Sequence, residues 1–454
     1  MLRLTDPQLT LWEELLPPEL KVLSEELQKV DELLDDERFL APFAERFGTT
    51  IGRPTVPIAT YLRLMYLKYR YGLGYETLVQ EVSDSIQWRR FCRLSLDARV
   101  PHSTTLIKLT KRFGPAVLEE LNQLVVEKAR EEKLIRGRKL RVDTTVIEAD
   151  IHYPTDAGLL ADGVRVITRT VRKLKDAGAA VRTEFRNRTR SIKNRLVEIG
   201  KVLRRRSGEA SREVRKITGE MMETTEQVVE NAKKVLKNAK HYAWRTGSKK
   251  VRALTIKLEE VIRLTKQVVW QTQQVNQGKR HIPNRLVSLF DKEARPIRKG
   301  KLKSPTEFGR KVLLQETEER IITGYQVHTG NPADDSLLQE AILHHRRVFG
   351  RSPWAVATDR GFGSKDNEQF LVDQGVKRIS LPRKGRKSKA RLQHERQPWF
   401  RRLQRWRSGG EGTIGILKRG YGLRRSRLKG TNGTRIWVGF GIMAYNLRRL
   451  ATLS

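Results

Sequence analysis

The chain has 454 residues, long enough for two or three domains with their own cores. Its 91 lysines and arginines against 52 acids leave a formal charge of +39. That excess calls for a polyanionic partner, nucleic acid above all, because basic side chains gain free energy by displacing counterions from phosphates. So many acids in so long a chain argue against a short packing protein of ribosomal or chromatin type, and the lone Cys92 excludes an internal disulfide or a cysteine-based zinc cluster.

Residues 1–10 lack the basic start and apolar run of a secretory signal, and nowhere does an uncharged apolar stretch approach the length of a membrane span. The expected location is the cytoplasm, in association with the nucleoid. Residues 1–50 read as a helical segment, with Leu15, Leu16, Leu20, Leu23 and Leu27 at helical spacing. Residues 51–130 read as a helical, helix-turn-helix-like DNA-binding domain. Pro54 and Pro57 open a helix through Tyr61, Leu64, Met65 and Lys68, and Gly72-Leu73-Gly74 is a turn. A second helix passes through Leu78 and Val82, and Ser103 or Thr104 caps a third that runs through Phe113.

Strand texture begins at Arg138, where Leu140, Val142, Thr144 and Val146 alternate with Arg141, Asp143, Thr145 and Ile147. Residues 164–299 then read as a basic helical insertion. Three apolar stripes predict three long helices packed as a bundle: Val181 to Leu203, Ile217 to Val235 and Leu254 to Val275. Within 165–285 lie 32 basic and 11 acidic residues, so the polar faces of this body carry more than half of the chain's excess charge. Arg204, Arg205 and Arg206 are candidate phosphate contacts there. Strands return at Val312–Thr317, Arg320–Val327, Trp354–Thr358 and Arg378–Pro382, with helices at 334–349, 397–419 and 435–452. Residues 131–163 and 300–454 together form a mixed α/β domain.

Two acids stand out by placement. Asp143 falls inside an apolar strand, and Asp359 ends one, with Gly361 two residues on. A carboxylate beside apolar neighbours costs free energy unless something pairs with it, and a divalent cation suits two such groups on adjacent strands. Arg407, Glu411 and Lys418 follow at offsets of four and seven, on one helix face. Arg407 can orient Glu411, and Lys418 can reach a phosphate. Glu148, Asp150, His152 and Asp156 are weaker rivals, Asp334 and Asp335 read as helix caps, and the adjacent His344 and His345 make a poor zinc pair. No nucleotide-binding loop of the Walker type occurs, so ATP is not implied.

Together these residues resemble the DDE transposases of bacterial insertion sequences, in the branch marked by a Tyr-(2)-Arg-(3)-Glu-(6)-Lys signature. Arg407, Glu411 and Lys418 match the signature, whereas Gln404 stands at its tyrosine, a position for which the resemblance implies a DNA contact rather than a metal contact. Val142 to Asp156 resembles the segment around the first catalytic aspartate of that family, Thr358-Asp359-Arg360-Gly361-Phe362 the second, and residues 51–115 its N-terminal helical domain. The resemblance implies an RNase H-like core interrupted by the helical insertion. It also implies a catalytic and metal-binding set of Asp143, Asp359 and Glu411, holding two Mg²⁺ ions with Mn²⁺ as substitute. The expected reaction is cleavage of double-stranded DNA at element ends, then strand transfer into target DNA, by a protein that works as a homodimer. A DNA-binding protein without catalysis and an RNase H-like nuclease that cuts without joining remain alternatives.

Overall fold

The computed structural model describes residues 1–5, 17–48, 54–205, 208–279, 281–298 and 306–453. Leu15, Leu16 and Arg206 therefore lie outside the described residues. The chain divides into two compact units, one of residues 1–150 with 309–454, the other of residues 151–308.

The first unit is built around a mixed sheet. Its main strands are β1 (Lys139–Ala149), β2 (Thr306–Thr317), β3 (Ile322–His328), β4 (Ala355–Thr358) and β5 (Arg378–Ser380). They lie in the order β3-β2-β1-β4-β5. β2 runs antiparallel to β1, from Leu140 opposite Thr317 to Glu148 opposite Gly309, and β3 continues antiparallel beyond β2. On the other side β4 is parallel to β1, and β5 is parallel to β4. A central strand is covered on both faces, which is why β1 buries Arg141 as well as Leu140 and Val142.

The helix Gly430–Ala451 is buried along most of its length and packs on Ser103–Glu131, Ile58–Arg70 and β3. Asn446 fixes it to the sheet, donating to the carbonyl of Ile322 at 2.8 Å and accepting from the amide of Ile322 at 3.0 Å. Ile58–Arg70 carries apolar residues all round and is correspondingly buried. Its basic residues Arg63 and Lys68 therefore face inward rather than toward solvent; Arg63 is bound by Asp31 and Asp35. The helix that begins at Ser103 is capped by His102, whose ring accepts from the amide of Thr104 at 3.2 Å. It does not stop at Phe113: Gly114, at φ 77°, and Pro115 kink it, and the chain resumes as helix to Glu131.

The second unit holds the helices Asp156–Asp176, Thr189–Arg204, Ala210–Thr246 and Lys249–Asn276 around a core that includes Leu160, Ile167, Met221, Val228, Leu258 and Val268. The expectation of three helices leaves out the first, which starts at Asp156, ahead of the expected start of the insertion at 164. Gly163 lies inside that helix where it meets the last one; a Cβ there would stand 2.7 Å from Cγ2 of Thr265. Among the described residues, no helix is long and apolar enough to cross a membrane.

Candidate active site

The site is assembled in the first unit from β1, the end of β4 and the helix Pro398–Gly420. Val142 on β1 is the register partner of Thr358 on β4. Asp143 and Asp359 each follow one residue later, so the two aspartates leave adjacent parallel strands side by side. Each is steadied locally. One oxygen of Asp143 accepts from the amide of Thr144 at 2.7 Å, and Oδ1 of Asp359 accepts from the amide of Gly361 at 2.7 Å.

Gln404 anchors the helix to the strand ends. Its Nε2 donates to the carbonyl of Thr358 at 3.3 Å, and to the carbonyl and hydroxyl of Ser380 at 2.8 and 2.9 Å. One turn later Arg407 reaches both toward the strand and along the helix. Its Nη1 lies 3.5 Å from Oδ2 of Asp143, and its Nη2 donates to Oε1 of Glu411 at 3.1 Å. The guanidinium is mostly sheltered while the Glu411 side chain is 68% exposed, so Glu411 is held from behind and faces solvent. Lys418 lies two turns further along the same helix, half-buried.

A buried cluster beneath this arrangement is not visible in the sequence. Arg141, two residues before Asp143, bonds Glu316 through Nε at 2.7 Å and the carbonyl of Trp406 through Nη1 at 2.9 Å. Thr413 donates to the same glutamate at 2.8 Å. Burial still pushes the Glu316 carboxyl up, opposed by its bond to Arg141. Gly410 makes the packing possible, since a Cβ there would stand 3.2 Å from Cδ and Nε of Arg141. The cluster joins β1, β2 and the helix, and so sets Arg407 over Asp143.

Asp334, which reads in the sequence as a helix cap, makes no capping bond. Instead it accepts from the Thr144 hydroxyl at 3.0 Å and from Nζ of Lys311 at 2.9 Å. A Cβ on Gly361 would fall 2.6 Å from Oδ2 of Asp334 and 2.8 Å from Oδ1 of Asp359. Any side chain at this glycine would push the two carboxylates aside. Asp335, by contrast, accepts from the amide of Ser336 at 3.0 Å.

The rival acids are engaged elsewhere. Glu148 pairs with Arg425 and Asp150 with Arg427, both at 2.9 Å; Asp156 pairs with Arg285 at 2.9 Å, and His152 lies 3.5 Å from Asp162. His344 and His345 bond to Gln315 and to the carbonyl of Gly137, each at 3.0 Å. Arg204 and Arg205 are exposed at the end of Thr189–Arg204 in the second unit, with Arg205 lying 3.8 Å from Glu213.

Among the described residues no three acid, histidine or cysteine side chains are gathered closely enough to close on an ion. The donors nonetheless fit a hard divalent cation, being carboxylates without sulfur or imidazole, two of them already drawn to one positive centre at Arg407.

Two families match the chain. Residues 13–112 match "Transposase domain (DUF772)" and residues 270–447 match "Transposase DDE domain". The second segment contains Asp359 and Glu411; Asp143 lies outside both. A relative from Rhizobium meliloti, described as "Uncharacterized protein ORF8 in nfe locus", is 32% identical over 142 residues, which is 29% of this chain and 68% of that protein. No solved structure matches.

Proposed function

The chain belongs to the transposases that carry a DDE domain, and on that premise we propose that it cuts DNA at the ends of an insertion sequence and joins them to target DNA through Asp143, Asp359 and Glu411. One observation carries the reading: Val142 and Thr358 are register partners, so Asp143 and Asp359 emerge side by side, and Arg407 ties Glu411 to Asp143. The strand order, with one antiparallel hairpin and two parallel strands beside β1, supports an RNase H-like core. Residues 164–299 are then its helical insertion, and residues 51–130 a DNA-binding domain.

In this reading Asp143, Asp359 and Glu411 hold two Mg²⁺ ions, with Mn²⁺ as substitute. When bound, such ions polarise the scissile phosphate and offset charge on the attacking and leaving oxygens. The protein's own groups do the rest. Arg407 orients Glu411 and screens it from Asp143, which keeps two negative groups close before any ion arrives. Lys418 offers a cation to a neighbouring phosphate. Gln404, standing at the tyrosine of the signature, holds the helix to the strand ends, so its role on this chain is positioning. Assignment to the Tyr-(2)-Arg-(3)-Glu-(6)-Lys branch rests on Arg407, Glu411 and Lys418. The exposed arginines of the second unit, Arg204 and Arg205 among them, together with Arg206, serve phosphates without reading bases. Joining two ends calls for a pair of protomers on DNA.

A plasmid carrying the element's ends tests the proposal. Wild-type protein with Mg²⁺ is expected to give cleaved ends and joined product. Alanine at Asp143, Asp359 or Glu411 should abolish both while leaving DNA binding nearly intact. Cleavage without any joined product would favour a nuclease over a transposase, and full activity in any of the three variants would remove that residue from the site.

A further inference from the structure

Glu148 and Ala149, at the end of β1, pair in parallel with Arg425 and Ser426. Arg425 also lines a cavity of about 560 Å³, together with Lys68, Tyr69, Tyr75, Arg424, Arg427 and Trp437. Among the described residues the wall carries four cations and no acid. Two of them are neutralised from outside it, Arg425 by Glu148 and Arg427 by Asp150. Arg424 and Lys68 have no carboxylate partner among the described residues.

Lys68 is the unusual one. It is 3% exposed, and its Nζ sits 4.3, 4.6 and 4.5 Å from the ring centres of Tyr69, Tyr75 and Trp437. No hydrogen bond or ion pair holds its ammonium among the described residues. Ring faces offset part of the cost of taking an ammonium out of water, but they give it neither a full counter-charge nor a hydrogen-bond acceptor. Burial accordingly pushes Lys68 down to about 7. An apolar residue of similar length would fill the same space without that cost, so a scaffold role does not account for the charge.

We propose that this cavity binds one phosphorylated nucleotide of a DNA strand, with Lys68 and Arg424 on its phosphate. An anion supplies what the rings do not, a counter-charge and hydrogen-bond acceptors for the ammonium. A phosphate alone would leave most of the space empty, while a pocket in the range of about 300–1,000 Å³ suits a molecule of nucleotide size. Leu73 and the aromatic edges provide apolar wall for sugar and base. Glu148 lies five residues past Asp143 on β1, roughly 17 Å at the ordinary rise of a strand. A nucleotide held here is thus placed to keep a strand in register with the acids. That last step rests on the proposed active site; the binding itself does not.

The test uses the full-length protein with chelator present, so that failure of cleavage cannot be mistaken for failure of this site. Equilibrium dialysis would compare labelled dAMP with inorganic phosphate on wild type, Lys68→Met and Arg424→Ala. Saturable dAMP binding is expected, weakened about tenfold or more in each variant, with inorganic phosphate at least about tenfold weaker on wild type. Circular dichroism checks folding; should Lys68→Met not fold, the exposed Arg424→Ala decides alone. Absence of dAMP binding, or binding unchanged in the folded variants, would overturn the proposal. So would phosphate binding as tight as dAMP, which would make this a site for a free anion.

Discussion

The two units treat charge in opposite ways. In the first, cations are taken into the interior and given partners. Arg63 is fully buried between Asp31 and Asp35, and Arg141 is clamped by Glu316 beneath the candidate site. In the second, the helices bury apolar stripes and small polar groups such as Thr225, Thr265 and Gln271, while cations such as Arg186, Arg190, Arg204 and Arg205 stay exposed. A buried ion pair fixes geometry, because separating it is costly; an exposed cation fixes little and remains available to a polyanion. The count of basic residues alone does not distinguish these uses. Lys68 obeys neither pattern, being buried without an acid among the described residues, and that exception is what marks its cavity.

The contrast can be broken most severely at Arg141. Replacement by Met leaves Glu316 buried with the Thr413 hydroxyl as its remaining side-chain partner, and should cost about 3–5 kcal/mol in denaturant unfolding. Arg141→Met combined with Glu316→Leu should recover much of that loss. A single-variant cost below about 1 kcal/mol would mean that the pair does not hold the helix onto β1.

Exposed charge should behave differently. Neutralising Arg204, Arg205 and Arg206 should leave folding stability nearly unchanged. It should flatten the dependence of log affinity on log salt by about 0.9 for each phosphate that is no longer neutralised, equally on element ends and random duplex. A weakening confined to the ends would assign these arginines to sequence reading instead.

A pH-dependent effect sharpens the account of burial. Burial pushes His345 from 6.5 to about 4, so between those values the unfolded chain binds a proton that the folded chain refuses. The contribution of His345 to stability is therefore present above pH 6.5 and declines as pH falls toward 4. Urea midpoints at acidic and neutral pH should differ less in His345→Gln than in wild type; an equal difference would show that another group governs this window.

Periodicity in the sequence locates β1 to β5 and the helices around the candidate site to within a few residues, because alternation and helical spacing follow from which face is buried. It also singles out Asp143, Asp359, Arg407 and Glu411, whose types clash with their apolar surroundings or share a helix face. What is not legible depends on residues far apart in sequence. Nothing near Arg141 announces Glu316, and nothing near Asp334 announces Thr144 and Lys311. Nothing near Gly163 announces Thr265, which presses against it in the folded chain. The burial of Lys68 is not legible either, because the rings that enclose it include Trp437, which lies far along the chain.

Titration of Mn²⁺ into the protein, followed by the loss of free-ion electron paramagnetic resonance signal, tests the central claim most directly. Wild type should take up the ion, and Asp143→Asn, Asp359→Asn and Glu411→Gln should each weaken uptake by about tenfold or more, since each removes a charged oxygen donor. Glu368→Gln, an acid engaged by Arg383 and Arg391, should match wild type. Uptake unchanged in all three site variants would contradict the assignment of Asp143, Asp359 and Glu411 to one metal centre.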